Sequence, residues 1–470
     1  MSVVPHFSLE SLPPHSATRV KALLQRLGAT PNPQIAVRAP GRVNLIGEHT
    51  DYNGYPVMPI AMEREIRAVA SATGGHTIEI ANSDPHFSPR RIDLTRPLTP
   101  FAAGDWGNYF LAALNELEPD LEPRGFTAIF DGDLPEAAGL SSSSALVVAS
   151  ALVLIGMSGV AIDPLHLAER LARAEHFVGT AGGGMDQAIS LMGKAGRALR
   201  IDFFPLRTRA LALPPDVRVV ICHSCVRAPK SEAAMQEYNR RPIECRLAAA
   251  LIAAEIRRRC AFPAAVERLA DVDRSRIPLP AAEIDRIIAS ALTPAAQTLA
   301  QLAQKLGRSE ASLLETELSP SPRFRLQPPA DGFQVQRRYR HVVGEAERVE
   351  KATRALESGD AAALGRLMDA SHASCRDDYG ISTPELDELV ALGREAGSLG
   401  SRLTGAGFGG CTVHLVPAEQ VKVFKERVWR SYYRTYLPGR RPDLATGDDP
   451  DKVMFETGAA AGAGFIDLIE

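Results

Sequence analysis

A run of seventeen residues without a single charge constrains this chain most: Ala145–Ala161 reads ALVVASALVLIGMSGVA. It is shorter than the roughly 20 residues a membrane-spanning helix needs, and Ser150, Gly156, Ser158 and Gly159 interrupt it. A helix apolar on every side must be covered by protein on every side, so the segment reads as a buried helix inside a large folded unit. The 470 residues, 45% apolar and 23% charged, supply enough chain for two or three domains around such cores.

Charge and cysteine content remove several classes of function. Lys plus Arg number 53 against 56 Asp plus Glu, a formal charge of -3, and no run of like charge concentrates either sign. Nucleic acids and acidic membrane surfaces need a cationic footprint, so neither is an expected partner. Met1–Ser16, MSVVPHFSLESLPPHS, has neither the basic start nor the apolar core of an export signal, and a cytoplasmic location is expected. Six cysteines are too few for a disulfide scaffold. Cys222 and Cys225 form a CxxC, but the pair ends the mostly apolar run from Val217 and has no second CxxC to complete a zinc site. It reads as structural.

Strand-like segments (Ile35–Val37, Ile66–Ser71, Phe126–Phe130) alternate with helical spacing over Leu152–Val178, which implies a mixed α/β or α+β architecture. Between Phe262 and Gly332 short helical pieces are punctuated by Pro278, Pro280, Pro294, Pro320, Pro322, Pro328 and Pro329, and the segment reads as peripheral. Helical patterns return over Tyr339–Met368 and Pro384–Ala396, the second closed by Gly397, and Val413–Val416 reads as a strand. A boundary between two lobes is expected near Arg200–Pro215.

Four segments carry candidate chemistry. Arg38–Met62 concentrates Arg42, Asn44, Glu48, His49, Asp51, Tyr52 and Asn53, a set of donors and acceptors suited to a polyhydroxylated ligand. The plainer reading is a polar loop held by Asx turns at Asp51 and Asn53. Asp133–Ala145, DLPEAAGLSSSSA, sets a glycine and four serines at the start of the buried helix, where backbone N–H groups and the helix dipole favour an anion. The alternative is a flexible Ser-rich turn; no GxxxxGK[ST] occurs. Gly182–Gln187, GGGMDQ, places Asp186 behind a triple glycine that lets backbone come close to a ligand. Thr404–Gly410, TGAGFGG, gains functional meaning only if it packs beside the Ser-rich loop.

Together these segments resemble the GHMP family of sugar and small-molecule kinases and, within it, the galactokinases. Gly41–Gly54, GRVNLIGEHTDYNG, looks like the galactokinase signature; Gly139–Ala145 is similar to the family's nucleotide-phosphate loop and Thr404–Gly410 to its third glycine motif. GDWGNY (104–109), EYNRRPIEC (237–245) and SHASCRDDYGISTPEL (371–386) extend the likeness over nearly the whole chain, with Phe262–Gly332 and Pro438–Lys452 matching least. The resemblance implies an α+β, two-lobed GHMP kinase fold. A lobe like domain 2 of ribosomal protein S5 would span residues 12–207 and a ferredoxin-like lobe residues 208–470, with the site in the cleft between them.

It further implies ATP-dependent phosphorylation of the anomeric C1 hydroxyl of galactose, giving galactose 1-phosphate and ADP. Asp186 and Arg42 would be catalytic, Asp186 against the sugar hydroxyl and Arg42 on the transferring phosphoryl group; proton abstraction and electrostatic orientation by Asp186 both stay open. Glu48, His49, Asp51, the backbone at Gly183 and Tyr238 would hold the sugar. Trp106 would lie by the adenine, with the phosphates over Gly139, Leu140, Ser141, Ser142 and Ser143 and Mg²⁺ on Ser143 and Glu175. Galactose and ATP are the expected partners of a monomer or weak homo-oligomer.

Tyr55, GGGMDQ and ECRLA (244–248) look more like the eukaryotic branch, which includes N-acetylgalactosamine kinase, whereas Tyr238 favours galactose, since the N-acetylgalactosamine enzymes carry Phe there. A non-catalytic galactose sensor is the other alternative; the intact Ser-rich loop, Arg42 and Asp186 argue against it. Mevalonate and homoserine kinases fit the EHTDY cluster less well.

Overall fold

The computed structural model describes residues 3–28, 34–135, 138–179, 182–227, 232–263, 265–319, 324–444, 447 and 449–468. Pro320 and Pro322 of the proline-rich stretch, and Glu136 and Ala137 of the Ser-rich segment, lie outside the described residues.

Six strands open the chain: β1 (His6–Ser8), β2 (Gln34–Ile46), β3 (Met58–Ala72), β4 (Thr77–Asn82), β5 (Arg90–Asp93) and β6 (Phe126–Gly132). There follow β7 (Arg197–Asp202), β8 (Arg207–Ala212), β9 (Val217–His223), β10 (Gly400–Leu403), β11 (Cys411–Pro417), β12 (Met454–Thr457) and β13 (Gly464–Asp467). The helices used below are α1 (Pro14–Leu27), α2 (Gly107–Leu121), α3 (Ser142–Ser158), α4 (Pro164–Ala174), α5 (Met185–Met192) and α6 (Glu232–Arg257). To these add α7 (Ala281–Ala291), α8 (Leu299–Leu306), α9 (Glu310–Thr316), α10 (Val335–Glu357), α11 (Ala361–Ser374) and α12 (Pro384–Glu395).

The first sheet has the order β1-β13-β2-β3-β6-β4-β5, built on the long antiparallel pairing of β2 with β3. Side chains alternate across it: Val37, Ala68 and Ala128 face α2 and α3, while Ala36, Val69 and Ile129 face α1. Sandwiched between this sheet and α2 and α5, α3 is apolar all round because protein surrounds it all round. The helical spacing expected over Leu152–Val178 is broken for a local reason. Gly159 closes α3 in the left-handed region (φ 69), and the Asp163 side chain accepts from the N–H groups of Leu165 and His166, starting α4 with Pro164 in its first turn.

The second sheet is antiparallel, order β10-β11-β9-β12, and covered on both faces. Val219, Ile221, Val413 and Leu415 face α10 and α11, whereas Val220, Cys222 and Val416 meet α12 and the aromatic segment around Tyr432. The first of these layers also takes in Val43, Leu45, Met58 and Ile60 of β2 and β3, so the lobes share a core. Burial pushes the Cys222 and Cys225 thiols up, Cys225 to about 11, so both stay protonated. The expected helix over Tyr339–Met368 is the pair α10 and α11, divided at Ser358–Asp360, where the Asp360 carboxylate accepts from the N–H of Ala363 to start α11.

Three expectations need correcting. Residues 208–470 do not all belong to the second lobe: β13 pairs with β2, Gly464 opposite Arg38, because β2 would otherwise be a buried strand with an unpaired edge. A division between 207 and 208 also cuts the β7–β8 hairpin one residue into its second strand, after Arg207 has paired with Asp202. Nor is the proline-rich stretch peripheral. Its helices α7, α8 and α9 share a core with α6, and its first turns reach the sugar-signature peptide. Tyr55 donates to Asp273 at 2.9 Å, Arg268 lies over the Phe204 ring at 3.6 Å, and a side chain on Gly54 would meet Ala270 Cβ at 2.8 Å. Among the described residues no helix is long and apolar enough to cross a membrane.

Candidate active site

The site forms where four peptides distant in sequence meet. Register shifts near Pro40 and Asn44 interrupt the β2–β3 pairing on either side of Arg42. Its Nε donates to Asp186 Oδ1 at 2.8 Å, Nη2 to Oδ2 at 3.1 Å, and Nη1 to the Gly139 carbonyl at 2.5 Å. Burial works against this guanidinium's charge, but the carboxylates of Asp186 and Glu48 outweigh it and hold the group above its usual value. Asp186 opens α5, with Gly184 in the left-handed region (φ 97) aiming the turn, and 24% of its side chain stays exposed, the open side of an otherwise closed pair.

After β2 the chain turns at Gly47 (φ 92) and His49 (φ 60) into a short helical turn, Asp51–Asn53, closed by Gly54 (φ 81). Thr50 donates to the carbonyls of Gly47 and Pro56, and Asn53 to that of His49; these bonds hold the loop, but it is buried and held in this way instead of by Asx turns at Asp51 and Asn53. Glu48 and Asp51 are aimed differently. Glu48 is buried and its Oε2 accepts from Arg402 at 2.8 Å; burial pushes its carboxyl up while Arg402 and Arg42 pull it back. Burial, and then the charge of Asp186, push the Asp51 carboxyl up to about 6, although the N–H groups of Tyr52 and Met185 oppose them. His49 stays neutral, pushed down to about 3 by burial; Nδ1 bonds the Tyr52 hydroxyl at 2.8 Å and the ring sits 4.9 Å from Tyr379 and 6.1 Å from Tyr238. The Tyr238 hydroxyl resists ionisation through burial and then the charges of Asp51, Asp186 and Glu175.

Gly183 lies here for a reason the sequence did not show: a side chain on it would collide with the Asp51 carboxylate and the Tyr52 N–H. Its close approach is to the sugar-signature loop itself.

At the start of α3, Ser141 stands in the left-handed region (φ 57) and its hydroxyl donates to Asp186 instead of capping the helix. The first-turn N–H groups of Ser142, Ser143 and Ser144 therefore keep no side-chain cap. The Leu140 side chain is buried, so this residue offers only backbone, and its carbonyl accepts from the Arg42 N–H. The Thr404–Gly410 turn does pack beside this loop. Side chains on Gly139 and Gly410 would meet the Thr404 and Ala138 carbonyls at 2.9 and 2.8 Å, and one on Gly405 would strike the Gly139 carbonyl.

Two of the residues expected at ligand positions have neighbours that the sequence did not show. Ser144, not Ser143, donates to Glu175, at 2.5 Å, because Ser144 faces the core while Ser143 stays half-buried at the loop mouth. Trp106 is only 7% exposed, edge-on to Phe87 and Phe130, with its indole N–H given to the Ser88 carbonyl. It can offer a ligand a ring edge but no hydrogen bond.

A model described as the galactokinase galactose-binding signature matches residues 24–72, one for the GHMP kinase N-terminal domain residues 108–194, and one for the GHMP kinase C-terminal domain residues 352–435. A galactokinase from Dictyostelium discoideum is 33% identical over 464 residues, covering 91% of this chain and 89% of its own. The chain belongs to the galactokinase family. A Bos taurus galactokinase is 35% identical over 424 residues, covering 88% of this chain and 91% of its own. The two-lobed GHMP kinase fold recurs in the crystal structure of a Lactococcus lactis galactokinase complexed with galactose, at a TM-score of 0.73 and 24% identity over 95% of this chain and 99% of that one. A Methanococcus jannaschii mevalonate kinase shares it at a TM-score of 0.55 and 17% identity, covering 92% of this chain and 100% of that one.

Within this galactokinase fold, sequence reasoning missed Arg402, which carries Glu48, and the pair His341 and Glu345 behind the same turn. Arg402 sits two residues before the third glycine motif, a cation next to a ligand loop, and that was the available signal. His341 and Glu345 lie on an ordinary amphipathic helix and gave none.

Proposed function

We propose that the chain transfers the γ-phosphoryl group of ATP to the anomeric hydroxyl of galactose, giving galactose 1-phosphate and ADP. One observation carries this reading: a single carboxylate, Asp186, is held by Arg42 and Ser141, so the residue facing the sugar loop is tied directly to the Ser-rich helix start. Both Asp186 oxygens accept from Arg42, which leaves the exposed side to receive the sugar hydroxyl and point its lone pair at the phosphorus. Arg42, bonded also to the Gly139 carbonyl, lies between sugar and phosphate loop, where its charge opposes the charge gathering on the transferred group. Glu48, Asp51 and Tyr238 supply acceptors and a donor for the remaining hydroxyls.

Mg²⁺ fits beside Glu175, a buried carboxyl held at about 7 with Ser144 and Gln187 as hydrogen-bond donors; Ser143 at the loop mouth would share it. When bound, the ion neutralises phosphate charge. A coupled assay of ADP release with galactose and N-acetylgalactosamine in parallel tests the reading. Faster turnover of galactose is expected, and Asp186→Ala lowers it by about a thousandfold or more while ATP still binds. Preference for the N-acetylated sugar, binding of galactose without turnover, or near-normal turnover by Asp186→Ala overturns it.

A further inference from the structure

The turn that carries Glu48 is gripped from the other lobe by one face of α10. Glu345 is fully buried; its Oε1 accepts from the N–H groups of Gly47 at 2.9 Å and Glu48 at 3.3 Å and from the Ser371 hydroxyl, and its Oε2 accepts from Arg348 Nε at 2.6 Å. Four donors and no hydroxyl acceptor need both oxygens as acceptors, so the group is a carboxylate. Although burial opposes its charge, Arg348, Arg402 and His341 hold its acid down to about 2.

One turn earlier, His341 Nε2 lies 3.0 Å from the Glu48 carbonyl and Nδ1 2.9 Å from Ser374 Oγ. A carbonyl only accepts, so Nε2 carries the proton and Nδ1 accepts from Ser374. One turn beyond Glu345, Val349 closes on Gly47: a Gly47 side chain would meet its Cγ2 at 2.9 Å. The backbone N–H and C=O of Glu48 are thus both held by α10, while its carboxylate is held by Arg402.

We propose that His341 and Glu345 are positioning residues for the sugar site: they fix the Gly47–Glu48 backbone so that Glu48 and Asp51 meet the sugar, and they set sugar affinity without touching substrate. This rests on the reading of that loop as the sugar loop. Because the nucleotide-phosphate loop stands on α3 and the Thr404–Gly410 turn, the effect falls on the sugar and spares ATP.

Initial rates measured separately against galactose and ATP test this. Glu345→Gln puts an NH₂ where either Gly47 N–H or Arg348 needs an acceptor, and His341→Leu removes the donor to Glu48; each raises the galactose KM about tenfold or more with the ATP KM within about threefold. His341→Gln keeps an N–H within reach of the Glu48 carbonyl and restores the galactose KM to within about threefold of the unaltered chain. If Glu345→Gln is not recovered folded, the two His341 variants decide. Unchanged galactose KM values, parallel rises in both KM values, or equal effects of Leu and Gln at 341 overturn the proposal. Failure of the unaltered chain to release ADP with galactose overturns the functional reading itself.

Discussion

Glu175 is a buried carboxyl in the proposed metal site. Burial raises its carboxyl from 4.5 to about 7, the charge of Asp186 adds to the rise, and Ser144 and Gln187 pull it back. The folded chain therefore binds this proton more tightly than the unfolded one. The resulting stability is full below the unfolded value and is lost as the pH rises through 7; Asp51, at about 6, has the same sign. The divalent cation proposed at Glu175 would compete with the same proton. The Mg²⁺ concentration for half-maximal rate is expected to fall by about tenfold between about pH 6 and about pH 8, and Glu175→Gln to flatten that slope. Mg²⁺ titrations at fixed ATP and galactose measure it, and an unaltered slope in the variant counts against this role for Glu175.

At the scale of elements, the loop proposed to hold the phosphates is two glycine turns resting on each other. Gly405 (φ 83) and Gly139 (φ 76) both stand in the left-handed region; Gly139 occupies the space a side chain on Gly405 would need, and the Thr404 carbonyl the space of one on Gly139. The start of α3 depends on that contact, since Gly139 also gives its carbonyl to Arg42. Gly405→Ala must push the loops apart as well as bear the backbone strain. We expect a loss of about 2 kcal/mol or more in urea unfolding together with an ATP KM raised about tenfold. Gly159 at the far end of α3 is the matched control. It has φ 69 with open space around it, so Gly159→Ala costs about 1 kcal/mol of backbone strain and leaves both KM values unchanged. Equal kinetic effects of the two changes would contradict the role given to the contact.

At the scale of the whole molecule, the lobes are joined by a shared core, by β13 returning to β2, and by the proline-rich insertion resting on the sugar peptide. Tyr55 sits at that last junction, just beyond the turn that Thr50 and Asn53 hold. Tyr55→Phe leaves the partly buried Asp273 short of one donor. It is expected to lower stability by about 1–2 kcal/mol and to speed proteolytic cleavage within Phe262–Gly332. Denaturant unfolding and a timed protease digest measure the two effects; unchanged cleavage would mean that the insertion is held elsewhere.

The sequence by itself determined the pieces whose information is local. Arg42, Glu48 and Asp51 fall within ten residues, the glycine and serines of 139–143 abut an uncharged helix, and Asp186 follows its triple glycine. Local spacing also marked the buried helix, because covering it on all sides leaves no place for a charge. Tertiary structure alone decided what completes these groups: Arg402 on Glu48, Glu345 and His341 on its backbone, Ser144 rather than Ser143 on Glu175, Gly405 against Gly139, and Gly464–Asp467 in the first sheet. Apart from the serines, these partners stand hundreds of residues apart. An ion pair or hydrogen bond between such positions leaves no periodicity in either segment; it exists only once sheet register and helix packing bring the two together.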